Sequence, residues 1–301
     1  MVIANPASRN GSRLAVLARS ALEARGVTCD LSLTERPGHA AELAADHGEH
    51  YDALFAVGGD GTAAEVAGAL AGTDGVLGVL PGGTGNLLAR SLGIPLSLNR
   101  AVAALLGGEI IAIDLGRMGD GRRFAMAAGV GIDAAMVAET QSELKQRLGV
   151  LAYVIMGTRA AIRAVLRRQV FVVRLTVDGV VHERKAIAVM IANFGTVLGD
   201  RITLGPGIRA DDGLLDACVF APNSMFGAIR IMWRMVSRDF RPDSDVLYAR
   251  GREIRIETDP PMRMQADGEM IGSTPYDFTA EAGVVRVLVP RASKLIPAAA
   301  G

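Results

Sequence analysis

The sequence predicts an α/β protein in two parts. An N-terminal βα domain carries a parallel sheet, and a mainly antiparallel β domain follows it. Three observations predict this. Short apolar strands alternate with helical segments up to about Asp114. Beyond it, strand patterns follow one another directly, with Asp178-Gly179 as a hairpin signal between two of them. Two glycine-rich loops also lie at consecutive strand-to-helix junctions.

The elements are read in order. Val2–Ala4 is a short strand ending at Asn5-Pro6, and Ser12 is placed to cap a helix to about Arg25. Thr28–Leu33 reads as a strand and His39–His47 as a helix. Ala53–Val57 is a strand running into Gly58-Gly59-Asp60-Gly61-Thr62, with a helix over about Ala63–Leu70. Val76–Leu80 runs into Pro81-Gly82-Gly83-Thr84-Gly85-Asn86 and another short helix. In the second part, strands are expected at Ile110–Met118, Arg123–Ala128, Val170–Val177, Val180–Ile191, Leu214–Phe220, Glu253–Glu257 and Val284–Val289. Helical inserts are expected at about Ile132–Leu166 and Ser224–Arg238. The domains are placed at 1–114, joined by the tail 291–301, and at 115–290.

Composition excludes several classes. Half of the 301 residues are apolar and mean hydropathy is +0.29, which excludes a disordered chain. Thirty-two basic residues balance 32 acidic ones, so no nucleic-acid partner is expected from bulk charge. No apolar run of about 18 residues marks a membrane-spanning helix. Two distant cysteines, Cys29 and Cys218, and no signal peptide point to a reducing cytoplasm. The histidines His39, His47, His50 and His182 have no metal-ligand spacing, and no G-x-S-x-G elbow is present. Gly129-Val130-Gly131-Ile132-Asp133-Ala134 imitates a dinucleotide fingerprint, but Leu144 to Val177 holds no acid to bind a ribose. It is read as a tight strand-to-helix turn.

The glycine loops carry the chemistry. Glycine lets main-chain N–H groups approach a ligand closely, and a helix N-terminus adds unpaired donors with partial positive charge. Two such loops after neighbouring strands make a phosphate cradle. Asp60 inside an anion loop has two readings: a helix N-cap, or a carboxylate working with Mg²⁺ or a proton. Asp267-Gly268-Glu269 reads either as a hairpin turn or as a source of a general base. Asp211-Asp212-Gly213 reads either as a turn or as a cation site. No G-x-x-x-x-G-K-[ST] is present, nor an H-R-D or D-F-G set, so P-loop and protein-kinase chemistries are excluded.

Gly-Gly-Asp-Gly-Thr followed by Pro-Gly-Gly-Thr-Gly-Asn resembles the diacylglycerol kinase catalytic domain, a family that includes soluble bacterial lipid kinases and is similar to sphingosine and ceramide kinases. Supporting matches are Asn5-Pro6, Thr34 before Pro37-Gly38-His39-Ala40, Asp211-Asp212-Gly213-Leu214-Leu215, and Asp267-Gly268-Glu269. They run in order through nearly the whole chain. The short stretch before Asn5 departs from the family, so the strand is short or the start displaced. The resemblance implies an NAD-kinase-like N-terminal domain and an active site in the interdomain cleft. It implies ATP against Thr34, Gly58, Gly59, Asp60, Gly61, Thr62 and Thr84, with Asn5, Gly82, Gly83 and Asn86 in the same set. Glu269 would be general base on a lipid hydroxyl and Asp60 would stand near the transferred phosphoryl and its Mg²⁺, though either carboxylate has been assigned as base in the family. Asp212, with the main-chain oxygens of Arg209 and Leu214, would hold a second Mg²⁺.

The expected activity is therefore phosphoryl transfer from ATP to a membrane lipid such as diacylglycerol. The competing readings are an NAD kinase-like enzyme and a non-catalytic nucleotide- or lipid-binding protein. Two acid-poor basic stretches bear on partners. Leu144–Val177 carries Lys145, Arg147, Arg159, Arg163, Arg167, Arg168 and Arg174, and Ser224–Arg241 carries Arg230, Arg234 and Arg238 at i, i+4. Either could lie peripherally on an anionic membrane or be an ordinary solvated helix face. A homodimer is compatible with the sequence, which does not determine the oligomeric state.

Overall fold

The computed structural model describes residues 1–8, 10–131, 158, 161–164, 170–197, 202–241, 243–293 and 295. The chain forms two compact units, Met1–Leu115 with Glu281–Gly301, and Gly116–Ala280. The return to the first unit comes at Glu281, ten residues before the expected position. The reason is that the last strand runs unbroken over Tyr276–Val289.

The first unit is built on Val2–Ala4 (β1), Leu31–Leu33 (β2), Leu54–Gly58 (β3) and Val76–Pro81 (β4), all parallel in the order β2-β1-β3-β4. Arg286 and Val287 pair parallel with β4 on its other side. Every residue of β1, β3 and β4 is buried, as expected for a parallel sheet covered on both faces. Helices Gly11–Glu23 (α1), His39–His47 (α2), Asp60–Leu70 (α3), Leu87–Ser91 (α4) and Leu98–Leu106 (α5) supply the cover. β1 to β2 moves one way across the sheet and β3 to β4 the other. Right-handed crossovers therefore put α1 and α3 on opposite faces, and α1 packs with α5 while α2 packs with α3.

Three local expectations are corrected here. The strand expected from Thr28 shortens to Leu31–Leu33, because its partner β1 offers only three residues to pair with. Ser12 lies inside α1, whose N-cap is Asn10 in the left-handed region with no side-chain cap. A Cβ at Gly11 would sit 2.0 Å from the Asn5 carbonyl oxygen, so a tight turn starts the helix two residues early. α3 begins at Asp60 rather than Ala63, with Gly59 as N-cap, so Asp60 is not itself the cap.

The second unit is an antiparallel β sandwich. Glu109–Met118 (β5) leads into it and pairs with Arg123–Phe124 (β6). Then come Ala127–Gly131 (β7), Phe171–Val177 (β8), Val180–Ala186 (β9), Ala188–Ala192 (β10), Thr196–Val197 (β11), Ile202–Thr203 (β12) and Leu215–Phe220 (β13). Met225–Ser237 (α6) precedes Val246–Gly251 (β14), Glu253–Asp259 (β15), Arg263–Ala266 (β16), Glu269–Ser273 (β17) and Tyr276–Val289 (β18). One sheet runs β14-β13-β10-β7-β16-β17, and in the other β18, β15, β8 and β9 pair in that order. Val173, Leu175, Val189, Ile191, Ile254, Ile256 and Met264 fill the space between, with the Phe124 and Phe278 rings edge to face.

The expected strand Val180–Ile191 splits at Ile187. β9 pairs with β8 in one sheet while β10 pairs with β7 and β13 in the other, so the chain must change sheets there. Arg123–Ala128 splits at Ala125-Met126, whose N–H groups are turned to the Asp267 carboxylate. The Asp178-Gly179 hairpin forms, both residues having positive φ. Gly129 and Gly131 lie in β7. A Cβ at Gly131 would meet the Ile187 carbonyl oxygen at 2.2 Å, so sheet packing demands that glycine. Most of the insert expected at Ile132–Leu166 lies outside the described residues, with Lys145, Arg147 and Arg159; Arg167 and Arg168 lie outside them too. Residues 158 and 161–164 are helical. Among the described residues no helix is long and apolar enough to cross a membrane.

Ser224 Oγ caps α6 by accepting from the Gly227 N–H at 3.1 Å. Ser224→Ala should cost about 1 kcal/mol and lower Tm by about 2–4 °C in thermal unfolding.

Candidate active site

All the first-unit candidates come together along one sheet edge. Asn5 follows β1, Thr34 follows β2, Gly58-Gly59 ends β3 and Gly82 follows β4. The strand order reverses between β1 and β3, and open α/β sheets bind ligands at such a reversal, outside the carboxyl ends of the strands.

The two loops touch backbone to backbone. The Gly82 N–H donates to the Gly58 carbonyl at 2.9 Å. A Cβ on Gly83 would meet Gly59 Cα at 2.5 Å, and one on Gly82 would meet Gly58 N at 3.0 Å. A Cβ on Gly58 would meet Thr62 Oγ1 at 2.6 Å. Thr62 is buried beneath that glycine, while Gly61 is exposed with open space where a side chain would stand.

The second loop is a closed knot. Asn86, with φ 47°, accepts from the Gly83 N–H and donates to the Gly83 carbonyl, both at 2.8 Å. Arg90 Nε donates to the Gly85 carbonyl at 3.0 Å. This corrects the expectation that both loops turn main-chain donors to a ligand, since the Gly82 and Gly83 amides are engaged within the protein. The first-turn N–H groups of α3, at Gly61 and Thr62, have no intrahelical acceptor. The Thr84 side chain is exposed on the neighbouring loop.

Asp60 joins the two loops. Its Oδ1 accepts from the Leu88 N–H at 3.0 Å, at the start of α4. Burial pushes its pKa above the ordinary carboxylate value, opposed by main-chain N–H groups at Leu88, Leu87 and Asp60 itself and by Arg90. A desolvated carboxylate of this kind gains from a nearby cation. Asn5 is tied down, its Oδ1 accepting from the Ala7 N–H at 2.9 Å, and Thr34 is buried with its N–H donating to Ala4.

Glu65 escaped the sequence reading. From α3 its carboxylate accepts from the N–H groups of Gly38 at 3.1 Å and Ala40 at 3.2 Å. It thereby fills the positive end of α2 and ties the segment after Thr34 to the helix that begins at Asp60. One turn beyond Thr62, an acid on a helix face otherwise apolar was the available signal.

In the second unit, Asp267-Gly268 is a two-residue hairpin turn between β16 and β17, with φ 47° and 91°. The Asp267 carboxylate accepts three main-chain N–H groups, from Ala125 at 2.6 Å, Met126 at 2.9 Å and Ala127 at 3.1 Å. Its own N–H donates to Ala127, and the Gly268 N–H donates to Gln265 Oε1. Asp267 thus anchors the turn, and Glu269 stands exposed at the head of β17.

Arg250 stands beside the segment expected to hold a second cation. Asp212 Oδ1 accepts from the Leu214 N–H at 3.1 Å and Oδ2 faces Arg250 Nη1 at 3.5 Å. Arg250 also donates to Asp216 Oδ1 at 2.9 Å and to the Gly207 carbonyl, while Arg209 pairs with Asp211. The carboxylate that would hold Mg²⁺ already faces a guanidinium. Among the described residues no three His, Cys, Asp or Glu side chains converge on a metal. Arg209, Asp212 and Leu214 thus lie together just before β13, with Arg250 beside the Asp212 carboxylate.

Cys29 and Cys218 are both buried, and burial pushes both thiols upward, so neither is a nucleophile.

Two outcomes follow from these contacts. Arg250→Met should lower stability by about 1–3 kcal/mol, because Asp216 would be left buried without its cation. Asp60 has a raised folded-state pKa, so its contribution to stability is full below the ordinary aspartate value and is lost as pH rises through the folded value. Asp60→Asn should then raise Tm at neutral pH by about 1–3 °C, with the gain vanishing as pH falls below that ordinary value, followed by calorimetry.

Comparison with known proteins agrees with this arrangement. Residues 1–118 match the diacylglycerol kinase catalytic domain, and residues 126–289 match the YegS C-terminal NAD kinase beta sandwich-like domain. A probable lipid kinase YegS-like protein of Pseudomonas fluorescens is 33% identical over 92% of this chain and 92% of its own length. A diacylglycerol kinase of Bacillus subtilis is 28% identical over 84% of this chain and 82% of its own. The chain spans 56% of a longer, uncharacterized Synechocystis relative at 30% identity. The crystal structure of a putative diacylglycerol kinase from Bacillus anthracis shares the fold, with a TM-score of 0.80 at 24% identity, covering 97% of this chain and 95% of that one. With both units matched and the glycine loops placed on one sheet edge, the chain is a kinase of the diacylglycerol kinase catalytic-domain family.

Proposed function

We propose that this kinase transfers the γ-phosphate of ATP to the hydroxyl of a membrane lipid such as diacylglycerol. The observation that carries the reading is the row of Asn5, Thr34, Gly58–Thr62 and Gly82–Asn86 along one sheet edge, with the desolvated Asp60 heading α3. The relatives named as lipid kinases support the acceptor class.

Each residue has a role in this proposal. The open N-terminus of α3 at Gly61 receives phosphate oxygens, and the Thr84 hydroxyl adds a donor. Asn86, Gly82 and Gly83 hold the loops in shape rather than contact the ligand through their own amides. Asp60 lies on the side of the nucleotide's Mg²⁺, which when bound neutralises charge on the β- and γ-phosphates. Glu269 takes the proton of the acceptor hydroxyl. That oxygen forms a bond to the γ-phosphorus, the bond to the bridging oxygen breaks, and ADP leaves. Asp267 holds the hairpin that presents Glu269. Phosphoryl transfer asks chiefly for position and charge balance, which these fixed elements suit. We place the enzyme in the cytoplasm, peripheral to an anionic membrane.

The test is phosphate transfer from labelled ATP to a panel of lipids, with NAD as a competing acceptor. Labelled lipid is expected; labelled NAD instead would transfer the chain to the NAD kinase reading. Glu269→Gln should reduce kcat about 10²–10⁴-fold with ATP affinity retained in calorimetry. An unchanged kcat, or a loss accounted for by weakened ATP affinity, would remove Glu269 from this role.

A further inference from the structure

Helix α6 buries Arg234 and turns a stripe of large apolar side chains outward. Arg234 is buried and donates to Asp243 at 2.6 Å and to the carbonyls of Asp239 and Arg241. Arg230 reaches Asp245 at 2.5 Å and Asp243 at 3.2 Å. On the other side, Phe226, Ile229, Trp233 and Val236 recur at steps of three, four and three, one stripe of an α-helix. Phe226 is 79% and Trp233, the chain's single tryptophan, 69% exposed. Among the described residues none covers this stripe. Of the expected basic set, Arg230 and Arg238 are exposed and Arg234 is buried.

The surrounding charge identifies the partner. The helix carries no acid. The acids that follow it pair with arginines at its rim, Asp243 and Asp245 with Arg230 and Asp239 with Arg241, and the guanidinium is the more exposed member of each pair. The Asp245 side chain is 1% exposed against 53% for Arg230, and Asp239 30% against 85% for Arg241. An aromatic and aliphatic stripe rimmed by exposed arginines complements lipid acyl chains beneath anionic headgroups. The four arginines and three aspartates of residues 224–245 leave a single net positive charge. Apolar burial therefore carries more of the attachment than charge.

We infer that α6 seats Phe226, Ile229, Trp233 and Val236 in the boundary between headgroups and acyl chains of a bilayer, with Arg230 and Arg241 against lipid phosphates. The choice of a bilayer rests on the lipid-kinase reading, and the attachment is resistant to salt.

The single tryptophan makes the full chain its own probe. Vesicles of mixed phosphatidylcholine and phosphatidylglycerol should shift Trp233 emission to the blue. Brominated acyl chains should quench it, and both effects should persist in high salt. Phe226→Asp should weaken vesicle partitioning at least about tenfold. Its turnover of a soluble short-chain acceptor should stay unchanged, which shows it folded. No quenching by brominated lipid overturns the inference, even where the soluble acceptor is phosphorylated. A blue shift that grows with protein concentration without vesicles overturns it in favour of a second copy of this chain. Binding abolished by salt overturns it in favour of charge alone. Insertion without phosphorylation of any lipid leaves the inference standing and removes the lipid-kinase reading.

Discussion

Close approach of main chain to main chain at the ends of β3 and β4 governs the first unit. Gly58 and Gly59 lie against Gly82 and Gly83 with no room for a side chain between them. A larger residue at Gly83 would push one strand end off the other by an ångström or more, against backbone that has no rotamer to change. Everything functional on that edge inherits its position from this contact. Thr62 locks beneath Gly58, Asp60 begins α3, and its carboxylate reaches across to the start of α4. The burden is a desolvated carboxylate, which the fold tolerates because main-chain N–H groups and Arg90 partly compensate it. Strain of that kind is typical where a site is built for a charged ligand.

In the second unit a comparable part is played by Asp267. Three N–H groups converge on one carboxylate where the strand from Arg123 breaks. Asn193 secures the same break, donating through Nδ2 to the Ala125 carbonyl at 2.8 Å while its N–H donates to Met126. A β-strand interrupted at Ala125-Met126 would leave buried amides without partners, and these two side chains satisfy them. The Asp-Gly pair is a hairpin turn, and under the proposed function it also mounts Glu269.

Periodicity made the gross architecture legible. Helix α2 was read to its last residue, because apolar alanines and Pro37-Gly38 bound it clearly. The strands β14, β16 and β17 were not anticipated, being short and mixed in polarity, with a register shift at Met264-Gln265. The glycine loops of the first unit were legible because glycine spacing is a local signal. Glu65, Arg90, Asn193 and Arg250 were not, since each acts on residues far from it in sequence or through the main chain. The partners of the α6 arginines were hidden for the same reason, since Asp243 and Asp245 come beside Arg230 and Arg234 only in the fold.

The sequence by itself determined the order of strands and helices, the two glycine turns and the membership of a kinase family, because these follow from local conformational preference and from motifs in fixed order. Only the tertiary structure decided which amides are engaged, which carboxylates face a guanidinium, and which side of α6 meets solvent. Those depend on partners contributed by distant segments, and hydrogen bonding and desolvation act through space rather than along the chain.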